Sequence, residues 1–209
     1  MIRVVIAEDQ LMVRGALGAL LALEPDIEIV AQVGRGDEII PAVERVQPDV
    51  ALLDIELPGG DGLTAAAELH RLAPRVRVII LTTFGRPGYL RRAMEAGAIG
   101  YVLKEAPADT LATAIRRAME GKRTVDPTLA VTALSEGGNP LTEREREVLA
   151  VSREVPTIAD IAARLYLSEG TVRNHLSTAI QKLEARNRGE AARIAEQKGW
   201  LDPPNWLGS

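Results

Sequence analysis

The first 120 residues alternate between two hydrophobic periods, and that alternation limits the fold more than any composition value. Ile2–Ala7, Glu28–Val33, Val50–Asp54, Val76–Thr82 and Ile99–Leu103 are short, apolar and mostly β-branched, the composition of strands buried on both faces of a parallel sheet. Helix-length segments lie between and after them: Leu11–Leu23, Gly36–Val46, Gly62–Leu72, Pro87–Ala96 and Ala108–Glu120. Five strands alternating with five helices predict an α/β domain built on a doubly wound five-stranded parallel sheet. Ligands of such sheets bind beyond the carboxyl ends of the strands, so those ends are where chemistry is sought.

Four of the five ends carry reactive groups: Glu8 and Asp9 after the first strand, Asp54 closing the third, Thr82 closing the fourth and Lys104 after the fifth. Three neighbouring carboxylates repel one another unless a cation sits among them, and oxygen ligands with retained waters suit Mg2+. A hydroxyl and an ammonium beside them can neutralise the oxygens of an incoming phosphoryl group. The set reads as a metal-assisted, phosphoryl-accepting carboxylate.

Other chemistries lose their support. The chain has no cysteine, which removes disulfides, thiolate metal sites and cysteine nucleophiles, and it has only two histidines. No G-x-S-x-G run offers a serine nucleophile elbow. The longest uncharged apolar stretch, Gly15–Leu23, is too short to span a bilayer, and the opening MIRVVIAEDQ meets an acid at Glu8, unlike a secretory signal. A cytoplasmic protein with no membrane insertion is expected. With aromatics at 3% of 209 residues, its core must be aliphatic. The net charge of −4 belongs to residues 1–120, which hold 13 Lys and Arg against 17 Asp and Glu; residues 140–209 hold ten of each sign.

Glu8-Asp9, the run LLDIELPGGDG around Asp54, LTT at Leu81–Thr83 and GYVLKE at Gly100–Glu105 together resemble the receiver domain of two-component response regulators, over nearly all of residues 1–121. The resemblance implies that Asp54 is the phosphoacceptor, that Asp9 holds Mg2+ directly and Glu8 through water, and that the backbone carbonyl of Glu56 is a further ligand. Thr82 would hydrogen-bond the phosphoryl group, Lys104 would pair with its charge, and Tyr101 would be the aromatic switch that turns inward as Thr82 moves. The sequence departs from the usual pattern in having Glu-Asp for Asp-Asp and Glu105 where many receivers have proline. Phe84 stands where a polar residue would position water, so the chain is expected to be no enzyme beyond slow self-dephosphorylation. Asp61 and Thr83 read as loop and packing residues, and His70 as a surface residue of the third helix.

Residues 122–139 read as a linker with a partial helix over Pro127–Leu134, leaving 140–209 as a small all-α domain. Thr142 with Glu145 three residues on forms a capping box. Helices over Ile158–Leu165 and Glu169–Leu183, joined by three residues, form a helix-turn-helix, followed by a helix at Arg188–Lys198. Ser168 caps the second helix, presenting its amides to phosphate. Val172, Leu176, Ile180 and Leu183 form its core stripe, which leaves Thr171, Arg173, Asn174, Ser177 and Gln181 for the major groove. Lys182, Arg186 and Arg188 are candidate phosphate contacts. Trp200 reads as a cover over the last helix and Trp206 as a tail.

LTEREREVL, IADIAARLYLSEGTVRNHLSTAIQKL and NRGEAA resemble the LuxR-type (NarL/FixJ) DNA-binding domain, with Ser177 at a position often basic in that family. AEDQ, GALGALL, LTTFGRPGYLRRAMEAG and KGW look like the subgroup that contains the regulator of membrane-lipid desaturation. The resemblance implies a transcription regulator whose partners are a sensor histidine kinase and double-stranded promoter DNA, and which forms a homodimer on phosphorylation. The dimer surface stays open between the fourth helix, fifth strand and fifth helix, and the first and fifth helices. Two alternatives remain: a phosphorylation-independent dimeric DNA-binding regulator with a vestigial receiver, and a phosphohydrolase using Asp54 as nucleophile.

Overall fold

The computed structural model describes residues 1–83, 85–135 and 137–201 and divides into two compact units, one formed mainly by residues up to Val131 and the other from Thr132 onward. Phe84 and Trp206, given roles above, lie outside the described residues.

The first unit contains β1 (Ile2–Ala7), α1 (Leu11–Leu21), β2 (Ile27–Val33), α2 (Ile39–Val46), β3 (Val50–Asp54), α3 (Gly62–Leu72), β4 (Arg77–Thr82), α4 (Pro87–Glu95), β5 (Gly100–Leu103), α5 (Ala108–Met119) and β6 (Thr124–Val125). The strands form one parallel sheet in the order β2-β1-β3-β4-β5-β6. All five expected strands are present, and the count of five is corrected to six. The added strand, β6, is two residues long, too short to show any period, and lies in the segment read as linker, where α6 (Pro127–Ser135) follows it.

Alternate residues serve opposite faces of the sheet. Val4, Ile6, Leu52, Ile79, Leu81 and Val102 pack with Leu21 of α1 and with Leu111, Ile115 and Ala118 of α5. Val5, Ala51, Leu53, Val78 and Ile80 are equally buried on the other face, where α2 and α3 contribute Ile39, Val43, Leu63 and Leu69. Fully burying one such aliphatic side chain stabilises the fold by about 1.5–3 kcal/mol. The second strand departs from the expectation of burial on both faces: only Ile27 and Val33 are buried, because β2 is an edge strand.

A three-residue 3-10 turn at Gly36–Glu38 precedes α2, which places Pro41 in its first turn, where the missing N–H is not needed. Asp61, read from sequence as a loop residue, caps α3: its carboxylate accepts from the amides of Leu63 (2.9 Å) and Thr64 (3.0 Å).

The second unit holds α7 (Glu143–Val151), α8 (Ile158–Leu165), α9 (Glu169–Lys182) and α10 (Arg188–Gln197). Its core joins Val148 and Leu149 to Ile161, Val172, Leu176, Ala179, Leu183 and the alanines of α10, with Trp200 packed against it as expected. Ala179 rather than Ile180 is buried alongside Val172, Leu176 and Leu183 on α9. Among the described residues, no helix is long and apolar enough to cross a membrane.

Candidate functional site

Parallel register brings the reactive strand ends to one edge. Ala7 pairs with Leu53, so Glu8 follows level with Asp54. Asp54 pairs with Leu81 and Thr82 with Leu103, so Thr82 lies one step beyond Asp54 and Lys104 one step beyond Thr82. The Lys104 amide bonds the Thr82 carbonyl at 2.8 Å, continuing the ladder past the last strand residue. Glu8, Asp54 and Thr82 are buried at 0%, 5% and 2% exposure, whereas Asp9 is half-buried. Tyr101, on β5, is turned inward and buried.

Each side chain is fixed by local structure. The β3–α3 connection passes close under the site, and Gly62 has to be glycine there, since a Cβ would lie 1.9 Å from the Asp54 carbonyl oxygen. Glu8 is braced by its own turn: its Oε1 accepts from the Gln10 amide at 3.2 Å. The Lys104 Nζ stands 2.6 Å from Glu8 Oε2 and 2.8 Å from Asp54 Oδ2, joining the two acids.

Oxygens of Glu8, Asp9 and Asp54 lie within 4.8 Å of one another, the spacing of a shared cation. Burial pushes the Asp54 carboxyl up to about 6, against the pull of Lys104 and of the Glu56 amide, and the charge of Glu8 pushes the same way. Burial alone would depress Lys104; Asp54 and Glu8 reverse this and hold its pKa above the ordinary lysine value. Three acids thus face one lysine, so the cluster carries an excess of negative charge. Glu8 Oε2 adds a second sign of an incomplete site: it is buried, and its ion pair with Lys104 lacks hydrogen-bond geometry. Hard oxygen donors, excess negative charge and a poorly satisfied buried oxygen fit a divalent cation such as Mg2+. Glu56, expected to contribute its carbonyl, is half-buried, and its backbone amide draws the Asp54 carboxyl down, against the effect of burial.

In the second unit the helix-turn-helix is built as the sequence implied. Thr157 caps α8 through the Asp160 amide (3.1 Å), Tyr166 ends it in the left-handed region at φ 55°, and Ser168 caps α9 through the Thr171 amide (3.1 Å). Arg173, Asn174, Ser177 and Gln181 lie exposed on α9; Thr171 is half-buried, its hydroxyl 2.8 Å from that of Ser168. Arg173 pairs with Glu169 one turn earlier at 2.5 Å.

Two of the expected phosphate contacts are engaged elsewhere. Lys182 binds both oxygens of Glu145, at 2.7 and 3.0 Å, and Arg188 donates to the Pro156 carbonyl. Glu145 is 5% exposed and completes the capping box with Thr142. Burial works against its charge, but Lys182 and Thr142 outweigh it and hold its carboxyl below the ordinary glutamate range. The Arg186 side chain, by contrast, is 90% exposed and 4.0 Å from its nearest acid, Glu190.

Comparison with known proteins matches two family models to separate parts of the chain. Residues 4–116 match the response regulator receiver domain, and residues 139–195 match the luxR family of bacterial regulatory proteins. Two proteins of Bacillus subtilis (strain 168) are similar over 96% of this chain and 100% of their own length. One is the uncharacterized transcriptional regulatory protein YvfU, 51% identical, and the other the transcriptional regulatory protein DesR, 48% identical. Among solved structures, the response regulator ChrA of a heme-sensing two-component system is 35% identical, with a TM-score of 0.56 over 96% of this chain and 98% of that one.

Proposed function

The chain belongs to the response regulators that join a receiver domain to a LuxR-type DNA-binding domain, and from that premise we propose that phosphorylation of Asp54 controls promoter binding through dimerisation. The observation that carries this reading is the unbalanced acid cluster. Asp54 is buried at a strand end, beside two further acids and a single lysine, with a hydroxyl one step along the sheet.

A carboxylate oxygen of Asp54 attacks the phosphorus of a phosphohistidine on a sensor kinase; the P–O bond forms, the P–N bond breaks and the imidazole leaves. Asp9, Asp54 and the Glu56 carbonyl would hold Mg2+, with Glu8 as an outer partner, and the bound ion would supply positive charge to the phosphoryl oxygens. Lys104 exchanges one carboxylate for the phosphoryl charge, and the Thr82 hydroxyl donates to a phosphoryl oxygen. Moving Thr82 frees or fills space beside the buried Tyr101 ring, which couples the site to the β4–β5 edge. Phosphoryl uptake is stoichiometric rather than catalytic. The residues 1–121, 122–139 and 140–209 act as receiver, connection and DNA-binding domain of a cytoplasmic regulator.

A second copy of the chain is the fitting partner for α1, whose Leu11, Met12 and Leu20 are 75%, 84% and 46% exposed. Two copies present two recognition helices to half-sites about one DNA turn apart, or a multiple of it. Ser168 and Thr171 meet phosphate at the start of α9, while Arg173, Asn174 and Ser177 face base edges. Arg186 supplies backbone charge, and Lys182 and Arg188 support the fold beneath this face. An intact set of Asp9, Asp54, Thr82 and Lys104 speaks against a vestigial receiver.

The test is the mass in solution of the purified protein with Mg2+, before and after beryllofluoride, a mimic of the aspartyl phosphate, alongside Asp54→Asn. A monomer-to-dimer shift lost in the variant is expected. A wild-type chain that stays monomeric, or a variant that shifts equally, overturns phosphorylation-controlled dimerisation.

A further inference from the structure

Asp9 is the half-buried member of an otherwise buried acid cluster, and no hydrogen bond to its carboxylate occurs among the described residues. Its placement depends on the backbone that carries it. That backbone is held from two directions. The Glu8 amide donates to the Val33 carbonyl at 3.1 Å, continuing the β1–β2 pairing past the end of the strand. The Glu8 carbonyl, which belongs to the peptide linking Glu8 to Asp9, accepts from Arg14 Nη1 at 2.6 Å. A charge-assisted bond of this kind is about twice as strong as one between neutral groups. Arg14 reaches back from the first turns of α1, so helix and loop are clasped together around the peptide preceding Asp9.

The room for this contact comes from Gly34, just beyond β2. A Cβ there would lie 2.6 Å from Arg14 Nη1 and 3.6 Å from its Cζ. Gly34 has an ordinary backbone conformation, so its lack of a side chain answers to the guanidinium lying over it rather than to a turn. The Gly34 amide is itself tied to Glu38 Oε2 at 3.1 Å, which keeps this floor in place.

We propose that Arg14 is a positioning residue for the metal site: by gripping the Glu8 carbonyl over Gly34 it sets the Glu8–Asp9 peptide and so aims the Asp9 carboxylate at the shared cation position. The inference rests on the reading of Glu8, Asp9 and Asp54 as a Mg2+ site. Its sign is informative. A guanidinium near a divalent cation repels it, so a bystander Arg14 would, on removal, let Mg2+ bind more tightly. A positioning Arg14 gives the opposite result.

The experiment is calorimetric titration of the full-length protein with MgCl2, with thermal melting in EDTA as the check on folding. Arg14→Met is expected to weaken Mg2+ about tenfold, the usual size for loss of an outer support of a metal ligand. Gly34→Ala, which keeps Arg14 but displaces its tip, is expected to weaken Mg2+ in the same direction. The double variant should be no weaker than Arg14→Met alone, because both changes break one contact. Arg14→Lys keeps a donor and the charge, and should recover most of the affinity. Melting in EDTA should move little in all four. Affinity that is unchanged within twofold or tightened in Arg14→Met, or strictly additive losses in the double variant, overturns the proposal. If Arg14→Met fails to fold, Gly34→Ala and Arg14→Lys carry the decision. Asp9→Asn in the same titration separates the two levels of the argument. Unchanged Mg2+ binding in that variant sinks the metal-site reading itself, whereas lost binding alongside indifferent Arg14 variants sinks only the positioning role.

Discussion

Each half of the molecule contains a lysine bound to buried carboxylate, and the two clusters have opposite characters. In the first unit Lys104 faces Glu8 and Asp54 with Asp9 close by, and a buried oxygen of Glu8 is left without a well-directed hydrogen bond. In the second, Lys182 and Glu145 match one charge with one, and the carboxylate is completed by the Thr142 amide at 2.8 Å. The carboxyl pKa values move accordingly: Asp54 upward, because burial outweighs its partners, and Glu145 downward, because its partners outweigh burial. An unbalanced buried cluster is unfinished and has use for a ligand. A balanced one is closed and serves the fold. On the proposed reading, this distinction, rather than burial or the presence of an ion pair, separates functional from structural charge in this chain.

The largest test of the comparison removes the closed lysine. Lys182→Met leaves Glu145 buried with only its capping bonds, and should destabilise the second unit by about 2 kcal/mol, within the range for stranding one partner of a buried pair after discounting for the partial exposure of Lys182. Chemical denaturation followed by the fluorescence of Trp200, in a Trp206→Phe background, reports on this unit, since Trp200 packs against its core. A loss below 0.5 kcal/mol would mean that the pair is ornamental. Asp54→Asn is the counterpart in the open cluster: it takes a disfavoured charge out of the first unit and should leave that unit at least as stable as before.

Next in size is the response to Mg2+. Ligand that binds only the folded state stabilises it by about 1.4 kcal/mol at ten times its dissociation constant. That gain should appear in the first unit and be absent from the second, with Asp9→Asn and Asp54→Asn abolishing it. Stabilisation of both units alike would show a general salt effect instead of a site.

Acid separates the clusters more finely. The folded-state pKa of Asp54 is raised to about 6 from an ordinary 3.8, so the folded chain takes up a proton that the unfolded chain does not hold. In EDTA the first unit should therefore gain about 1 kcal/mol as pH falls from 7 to 5, and in Mg2+ the gain should vanish as proton and ion compete for the same oxygens. Glu145, being depressed, contributes stability that is present above the ordinary glutamate pKa of 4.5 and lost as pH falls below it. The second unit should thus hold steady over pH 7 to 5 and weaken only below that range. Parallel pH profiles in the two units would break the distinction.

Legibility in the sequence follows the same divide. The acid–lysine cluster is readable because a parallel sheet gathers the carboxyl ends of its strands, so residues 8, 54, 82 and 104 meet whatever the details of packing. Strand order is a tertiary outcome, which is why the edge position of β2 was not readable and why Thr124–Val125 passed as linker. Arg14 was missed because its partners are a backbone carbonyl and a glycine twenty residues on, neither of which leaves a pattern. The pairing of Lys182 was not readable for a related reason: on α9 it looks like any basic residue at the end of a helix, and Glu145, 37 residues away, looks like a capping acid. Thr142 and Glu145 were correctly read as a capping box, because both partners lie within one helical turn. Local chemistry was visible, and pairing across helices was not.

The smallest expected effect tests whether exposure, the counterpart of closure, identifies a cation that works on DNA. Arg186 is 90% exposed with only a distant acid, whereas Lys182 is held against Glu145. If Arg186 meets one phosphate, Arg186→Gln should lower the magnitude of the slope of log affinity against log salt by about 0.9 per monomer, with an almost uniform loss across DNA sequences. Lys182→Met, measured well below its melting temperature, should leave that slope unchanged even where overall affinity drops with the population of folded domain. The two substitutions remove the same formal charge from neighbouring turns of the chain, so a difference in slope has to come from where each charge is spent. A slope change in Lys182→Met and none in Arg186→Gln would reverse the assignment, showing that the Glu145 pair opens on DNA and that closure in the free protein does not mark a structural charge.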